Sequence, residues 1–180
     1  MQIRARFETN LAWNGYVLLL ISPNRRLFPR QFMKSSIETY RAELSASCVG
    51  GEGIPDIVSQ VPAIFDTLEQ LIRDPDITNQ HRTLVFAALG YFFIPDDLFP
   101  EEELGQVGFI DDIILSLCIL HEIRFTVQGN NAIKRHWKLK ITIEDALGTH
   151  LSQLIKDYPV EYSTTLNHFG LLPITPDGPI

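Results

Sequence analysis

Cysteine is scarce: two residues in 180, which leaves no basis for a disulfide framework. Cys48 stands before a glycine-rich turn and Cys118 inside an apolar run. Both positions suit small buried hydrophobes, so a reducing compartment is expected. Long hydrophobic runs are missing as well. The stretch Tyr16 to Ile21 ends at once in Ser22-Pro23-Asn24-Arg25-Arg26, far short of the roughly 20 apolar residues that a membrane-spanning helix needs. The run Val107 to Leu120 carries Asp111 and Asp112, each costing about 3 kcal/mol near a bilayer centre. The opening residues lead into a mixed segment with no apolar core before a small-residue cleavage site, so no secretory signal is expected. These absences predict a cytoplasmic chain with no membrane span.

Reaction signatures are absent too. There is no Gly-x-Ser-x-Gly elbow, phosphate loop, dinucleotide fingerprint or Cys-x-x-Cys pair. Gly50-Gly51-Glu52-Gly53 includes an acid and no lysine, which makes it a hinge rather than a phosphate cradle. His121-Glu122 lacks the second histidine that a zinc-protease helix requires. His121 lies about 180° round a helix from Asp112, and Glu122 about 16 Å along the axis from Asp111, so one ion cannot join them. His81, His136, His150 and His168 show no ligand spacing and are read as surface or half-buried residues. The balance leans away from an enzyme.

Basic residues are few in the middle of the chain. Residues 1–50 hold seven Lys/Arg against three acids, residues 51–123 two against fourteen, and residues 124–180 six against five, which together give the net charge of −7. An acidic middle repels nucleic acid and anionic lipid, and no nucleic-acid partner is expected. The two ends are expected to pack against that middle and neutralise it, or to be solvated faces. The basic stretch Lys134-Arg135-His136-Trp137-Lys138 is where an acidic partner would dock.

What is present is helix. With 45% hydrophobic and 21% charged residues the composition is that of a globular domain, and the length suits one core. Residues near 7 to 21 suit a helix or a strand, with helix the better match, and Pro29 fits the first position of a helix running to about Ser47. Ile57, Val61, Ile64, Phe65, Leu68, Leu71 and Ile72 follow helical spacing from Pro55 to Arg73, with Pro62 bending or restarting the helix. Asp74-Pro75-Asp76 is its stop. A helix from about Asn79 to Phe93, capped by Thr78 or Asn79, is apolar on nearly every face after Arg82 and belongs at the centre. Ile94-Pro95-Asp96-Asp97 ends it. Gly108 to about Phe125 returns, Gly129-Asn130-Asn131 reads as a turn, and Ala132 to Lys138 as a short basic helix. Thr142-Ile143-Glu144-Asp145 resembles a capping box opening a helix to about Tyr158. The fold class is therefore all-α, a compact bundle of about five or six helices built around a central apolar hairpin. One domain spans 1–172, and a proline-rich tail, 173–180, follows.

The residues Asp74-Pro75, Leu84 to Tyr91, Pro95, Asp97-Leu98, Pro100, Gly108 and Asp111-Asp112 resemble the YkvA-like family, a small bacterial helical domain of unknown function. The resemblance is specific over roughly 72–124 and looser over a core of about 55–158, while residues 1–50 have no recognised counterpart. Ile94 stands where that family usually has serine, and Glu101 where it usually has aspartate. The resemblance implies a fold and no reaction.

The carboxylates admit two readings. As structure, Tyr91, Pro95, Asp97, Pro100, Gly108, Asp111 and Asp112 form a hairpin lock, with carboxylates capping helix starts. As chemistry, Asp97, Glu101, Asp111 and Asp112 could hold Mg2+, Mn2+ or Ca2+ through oxygen ligands. The leading expectation is a non-catalytic helical interaction or regulatory protein, without cofactor, whose protein partner meets residues 1–50 or the basic region from Lys134 to Lys140, with Lys134, Arg135, Trp137 and Lys138 the candidate contacts. A divalent-metal-dependent hydrolase or metal-sensing domain is the alternative, and peripheral membrane association through the apolar hairpin a second. The sequence leaves oligomeric state open.

Overall fold

The computed structural model describes residues 30–94, 98–171 and 173–174. The expected N-terminal helix near 7 to 21, Pro95, Asp97 and the last residues of the tail lie outside the described residues. Every regular element among the described residues is helical. These are α1 (Arg30–Ser47), a 3-10 turn (Asp56–Gln60), α2 (Val61–Arg73), α3 (Asn79–Tyr91), the single turn α4 (Glu101–Leu104) and a second 3-10 turn (Gly105–Phe109). There follow α5 (Ile110–Ile123), α6 (Val127–His136), α7 (Ile143–Asp145), a π turn (Ala146–His150), α8 (Leu151–Asp157) and α9 (Pro159–Phe169).

The axis of the bundle is α5. Every residue from Ile110 to Leu120 is buried, and α2, α3, α6, α8 and α9 all pack against it. A helix with no polar stripe can only be stable when neighbours cover its whole circumference. Its partner α3 is covered less completely, for Phe86 and Phe93 remain 40% and 46% exposed. Within α3 only Phe86 is exposed after Arg82, in keeping with a helix buried on most sides, and Phe93 lies beyond its end. Phe93 instead packs beside the Tyr40 ring at 4.5 Å and the Phe65 ring at 5.9 Å.

Local signals set the ends of these helices. Thr78 caps α3 by accepting from the His81 N–H at 3.1 Å. Pro62 lies in the first turn of α2, so the helix restarts there after the 3-10 turn. The α6 helix begins earlier than its composition indicates. Thr126 accepts from the Gly129 N–H at 3.0 Å, and this cap draws Gly129-Asn130-Asn131 into the helix instead of leaving them as a turn. Glycine is needed there, because a Cβ on Gly129 would stand 2.2 Å from the Ile123 carbonyl oxygen. Thr142 accepts from the Asp145 N–H at 3.0 Å and donates its hydroxyl to the Asp145 carboxylate at 2.7 Å. The periodicity reading passed over α9, which opens on Pro159 and closes on Gly170 at a left-handed φ of 62°.

Basic residues on either side of the acidic middle meet it through particular pairs. Arg41 on α1 reaches Asp66 and Glu69 on α2, each at 2.5 Å. Arg135, at the end of α6, reaches Asp74 and Asp76 just beyond α2.

Candidate functional site: the hairpin bend

Tyr91 is the last residue of α3 and Asp111 lies in the first turn of α5. The antiparallel hairpin brings them together: the Tyr91 hydroxyl donates to Asp111 Oδ2 at 2.6 Å and accepts from the Leu98 N–H at 2.9 Å. Asp111 Oδ1 accepts from the Asp112 N–H at 3.0 Å. Both carboxylates are buried, at 0% and 1% exposure. The positive end of α5 supports negative charge at this point. Burial, followed by the charge of Asp111, pushes the Tyr91 hydroxyl well above its ordinary range, so it remains a donor. The Tyr91 ring stands edge-on to Phe169 at 4.8 Å, which ties α9 to the bend.

The loop that closes the bend is held by backbone. The Pro100 carbonyl accepts from the N–H groups of Glu103 and Leu104 at 3.1 and 3.0 Å. Gly108 passes so close to the chain before α4 that an added Cβ would meet the Phe99 oxygen and Glu101 Cα, each at 2.7 Å. Both contacts are backbone, so no side chain can move aside to make room. This explains why glycine stands three residues before Asp111.

A further part of the bend comes from the end of α1, and sequence reasoning did not find it. The Gly50 N–H donates to Gln106 Oε1 at 2.8 Å, and the Gln106 amide donates back to the Gly50 carbonyl at 3.4 Å. Cys48, two residues before Gly50, is buried. Burial, then the charges of Asp112 and Glu101, push its thiol up to about 12. Gly50, Gly51 and Gly53 all adopt positive φ. The glycine cluster is therefore less a free hinge than a shaped strap joining α1 to the turn before α5.

Asp97 of the candidate metal set lies outside the described residues. Among the described residues no three His, Cys, Asp or Glu side chains gather as an ion-holding group. Glu101, Asp111 and Asp112 all belong to the bend, but Asp111 is engaged by Tyr91 and by the start of its own helix.

The basic patch is divided. Arg135 donates from Nε and Nη2 to the Asp74 carboxylate, both at 3.1 Å, and to Asp76 at 2.7 Å. His136 Nε2 meets Asp74 Oδ2 at 2.7 Å, and the Trp137 indole donates to the Ile141 carbonyl at 2.7 Å. Burial alone would raise the Asp74 carboxyl. The Asp76 N–H, His136 and Arg135 more than offset that, and its pKa is lowered. Lys134 is 3.7 Å from Glu144, and Lys138 is exposed. The outward face of α6 presents Val127, Asn131 and Lys134, exposed at helical spacing.

Fold and bend together define an all-α domain organised round a polar-keyed apolar hairpin. The model of the family described as "Protein of unknown function (DUF1232)" matches residues 81–117, from the first turns of α3 to the middle of α5. A protein of Methanothermobacter thermautotrophicus described as "Uncharacterized protein ORF9" is 31% identical over 116 residues, covering 64% of this chain and 79% of its own length. The chain belongs to this DUF1232 family. No solved structure matches it. Among the described residues, no helix is long and apolar enough to cross a membrane.

Proposed function

We propose that this chain is a non-catalytic helical interaction or regulatory protein of the cytoplasm, built on a YkvA-like core, with its partner surface on the outward face of α6. One observation carries the reading: Asp111, a carboxylate within the matched stretch, is fully buried and bonded to Tyr91 and to the Asp112 N–H. A carboxylate in that state holds helices together and is out of reach of a substrate. Recognition then falls to the surface, where Lys134 and Lys138 stand exposed beside Arg135, which is half-exposed though paired. An acidic protein segment is the partner such a face selects. Co-purification from the native host tests this, comparing the wild type with the Lys134→Glu/Lys138→Glu variant and with Lys156→Glu as a surface control. A partner lost by the double variant and kept by the control supports the reading, and identical captures by all three sink it.

The alternative metal site of Asp97, Glu101, Asp111 and Asp112 makes a separate prediction. Titration with Mg2+, Mn2+ or Ca2+ would raise the melting temperature of the wild type and leave Asp112→Asn unmoved. Retained partner binding in a metal-free wild type would then separate the two readings.

A further inference from the structure

A cleft of about 380 Å3 lies away from the hairpin bend, between the glycine-rich turn ahead of α2 and the helix α8 with the turn before it. Its volume falls in the range of small-molecule sites, about 300–1,000 Å3. One wall is the stretch from Gly53 to Ile57 and the other runs from Thr149 to Tyr158. Ile54 and Pro55 on one wall and Tyr158 on the other, all partly exposed, supply its apolar surface. The rim carries one carboxylate on each wall, Asp56 and Asp157, and no lysine or arginine lines the cleft.

Three features add to this. Asp157 is the last residue of α8, where the carbonyl end of a helix contributes negative potential. Gln153 donates its amide to the Asp157 carboxylate one turn away, which restrains that group at the rim. The wall itself is irregular: the Leu151 N–H donates to the Ala146 carbonyl, five residues back, giving a π turn that ends with Thr149 and His150 in the cleft. Such turns recur at functional sites. Tyr158 adds an aromatic ring to the same wall.

We propose that this cleft binds a small organic cation of the aliphatic diamine class, its two ammonium groups on Asp56 and Asp157 and its hydrocarbon over Ile54, Pro55 and Tyr158. A carboxylate on each wall with apolar surface between matches a cation at each end of a methylene chain. An anion of the same length would meet two like charges and no counter-charge. The strongly acidic middle of the chain, residues 51–123, further raises the local concentration of cations. The reading is independent of the α6 partner surface.

Amide NMR titration with cadaverine at low ionic strength tests it, with butylamine and butyrate as controls. Saturable shifts confined to Gly53–Ile57 and Thr149–Tyr158 are expected, weaker with butylamine and absent with butyrate. Both carboxylates are solvent-exposed, so Asp56→Asn and Asp157→Asn should each weaken cadaverine binding by about two- to fivefold. The double variant should lose it. These substitutions keep shape, and the unchanged remainder of each spectrum reports that the variant is folded. No saturable shift with cadaverine, equal binding by the double variant, equal shifts with butyrate, or shifts spread evenly over all acidic surface would each overturn the proposal.

Discussion

Tyr91→Phe removes a single oxygen from the hairpin bend and is the sharpest test of what holds it. The ring stays, so the edge-on contact with Phe169 and the burial of the side chain are kept. What goes is the donor to Asp111 Oδ2 and the acceptor for the Leu98 N–H. A hydrogen bond to an ionised group contributes about 1.5–3 kcal/mol and a neutral one about 1 kcal/mol, so the loss should be about 2.5–4 kcal/mol. That is a large part of the about 5–15 kcal/mol that stabilises a typical domain. Urea denaturation followed by far-ultraviolet circular dichroism reads it as a lower midpoint at unchanged slope.

A double-mutant cycle separates the pair from its surroundings. If Tyr91 and Asp111 act on each other, the combination of Tyr91→Phe with Asp111→Asn costs less than the two single changes added together, with a coupling of about 1.5–3 kcal/mol. A loss below about 1 kcal/mol for Tyr91→Phe, or additive single effects, would refute the lock. The carboxylate would then have to be explained by something other than architecture.

Further outcomes follow from the same geometry. Gly108→Ala should destabilise by about 2–3 kcal/mol in the same denaturation assay, since both backbone atoms it meets at 2.7 Å are fixed. Gly148→Ala, with nothing within 4 Å of the new methyl group, should instead stabilise by about 0.5–1 kcal/mol. Burial, then the charge of Arg124, lowers the His121 imidazole from its ordinary 6.5 to about 4, and no hydrogen-bond partner meets its buried Nε2. The unfolded chain takes up this proton first, so stability is retained above pH 6.5 and lost as pH falls from 6.5 towards 4. After allowance for solvent screening the loss is about 1–2 kcal/mol, and His121→Phe should remove it from the melting-temperature profile. The Asp74 carboxyl is lowered, so its contribution is present above the usual carboxylate pKa of 3.8 and lost as pH falls through its folded value. Asp74→Asn should flatten that acid limb and leave the His121 window intact.

The parts of this fold that could be read from the sequence are those specified locally. The α3 and α5 helices announce themselves by apolar residues over many turns, and Thr78, Pro62 and the Asp74-Pro75 stop act within one turn of where they stand. The start of α6 was hidden because Gly129-Asn130-Asn131 has turn composition, while the cap that overrides it is one threonine hydroxyl. Signals for α9, Pro159 and Gly170, were present but without a strong apolar period between them. The pairing of Gly50 with Gln106 spans 56 residues, and that of Asp74 with Arg135 spans 61. No spacing rule reaches so far, which is why the sequence does not name the acids that Arg135 meets.

The candidate site shows the same division at finer scale. Residue type and spacing mark Tyr91, Gly108, Asp111 and Asp112 as one constellation, but whether carboxylates face an ion or a hydroxyl depends on how two helices are rotated about their axes. Two largely apolar helices have little in their mutual packing to fix that rotation or their relative slide, because neighbouring registers bury similar surface. A buried Tyr–Asp contact at one end is satisfied in a single register and leaves a desolvated carboxylate short of a donor in every other. The energetic asymmetry between those arrangements gives the polar pair its value: it adds less to the hydrophobic stabilisation than it takes from competing alignments.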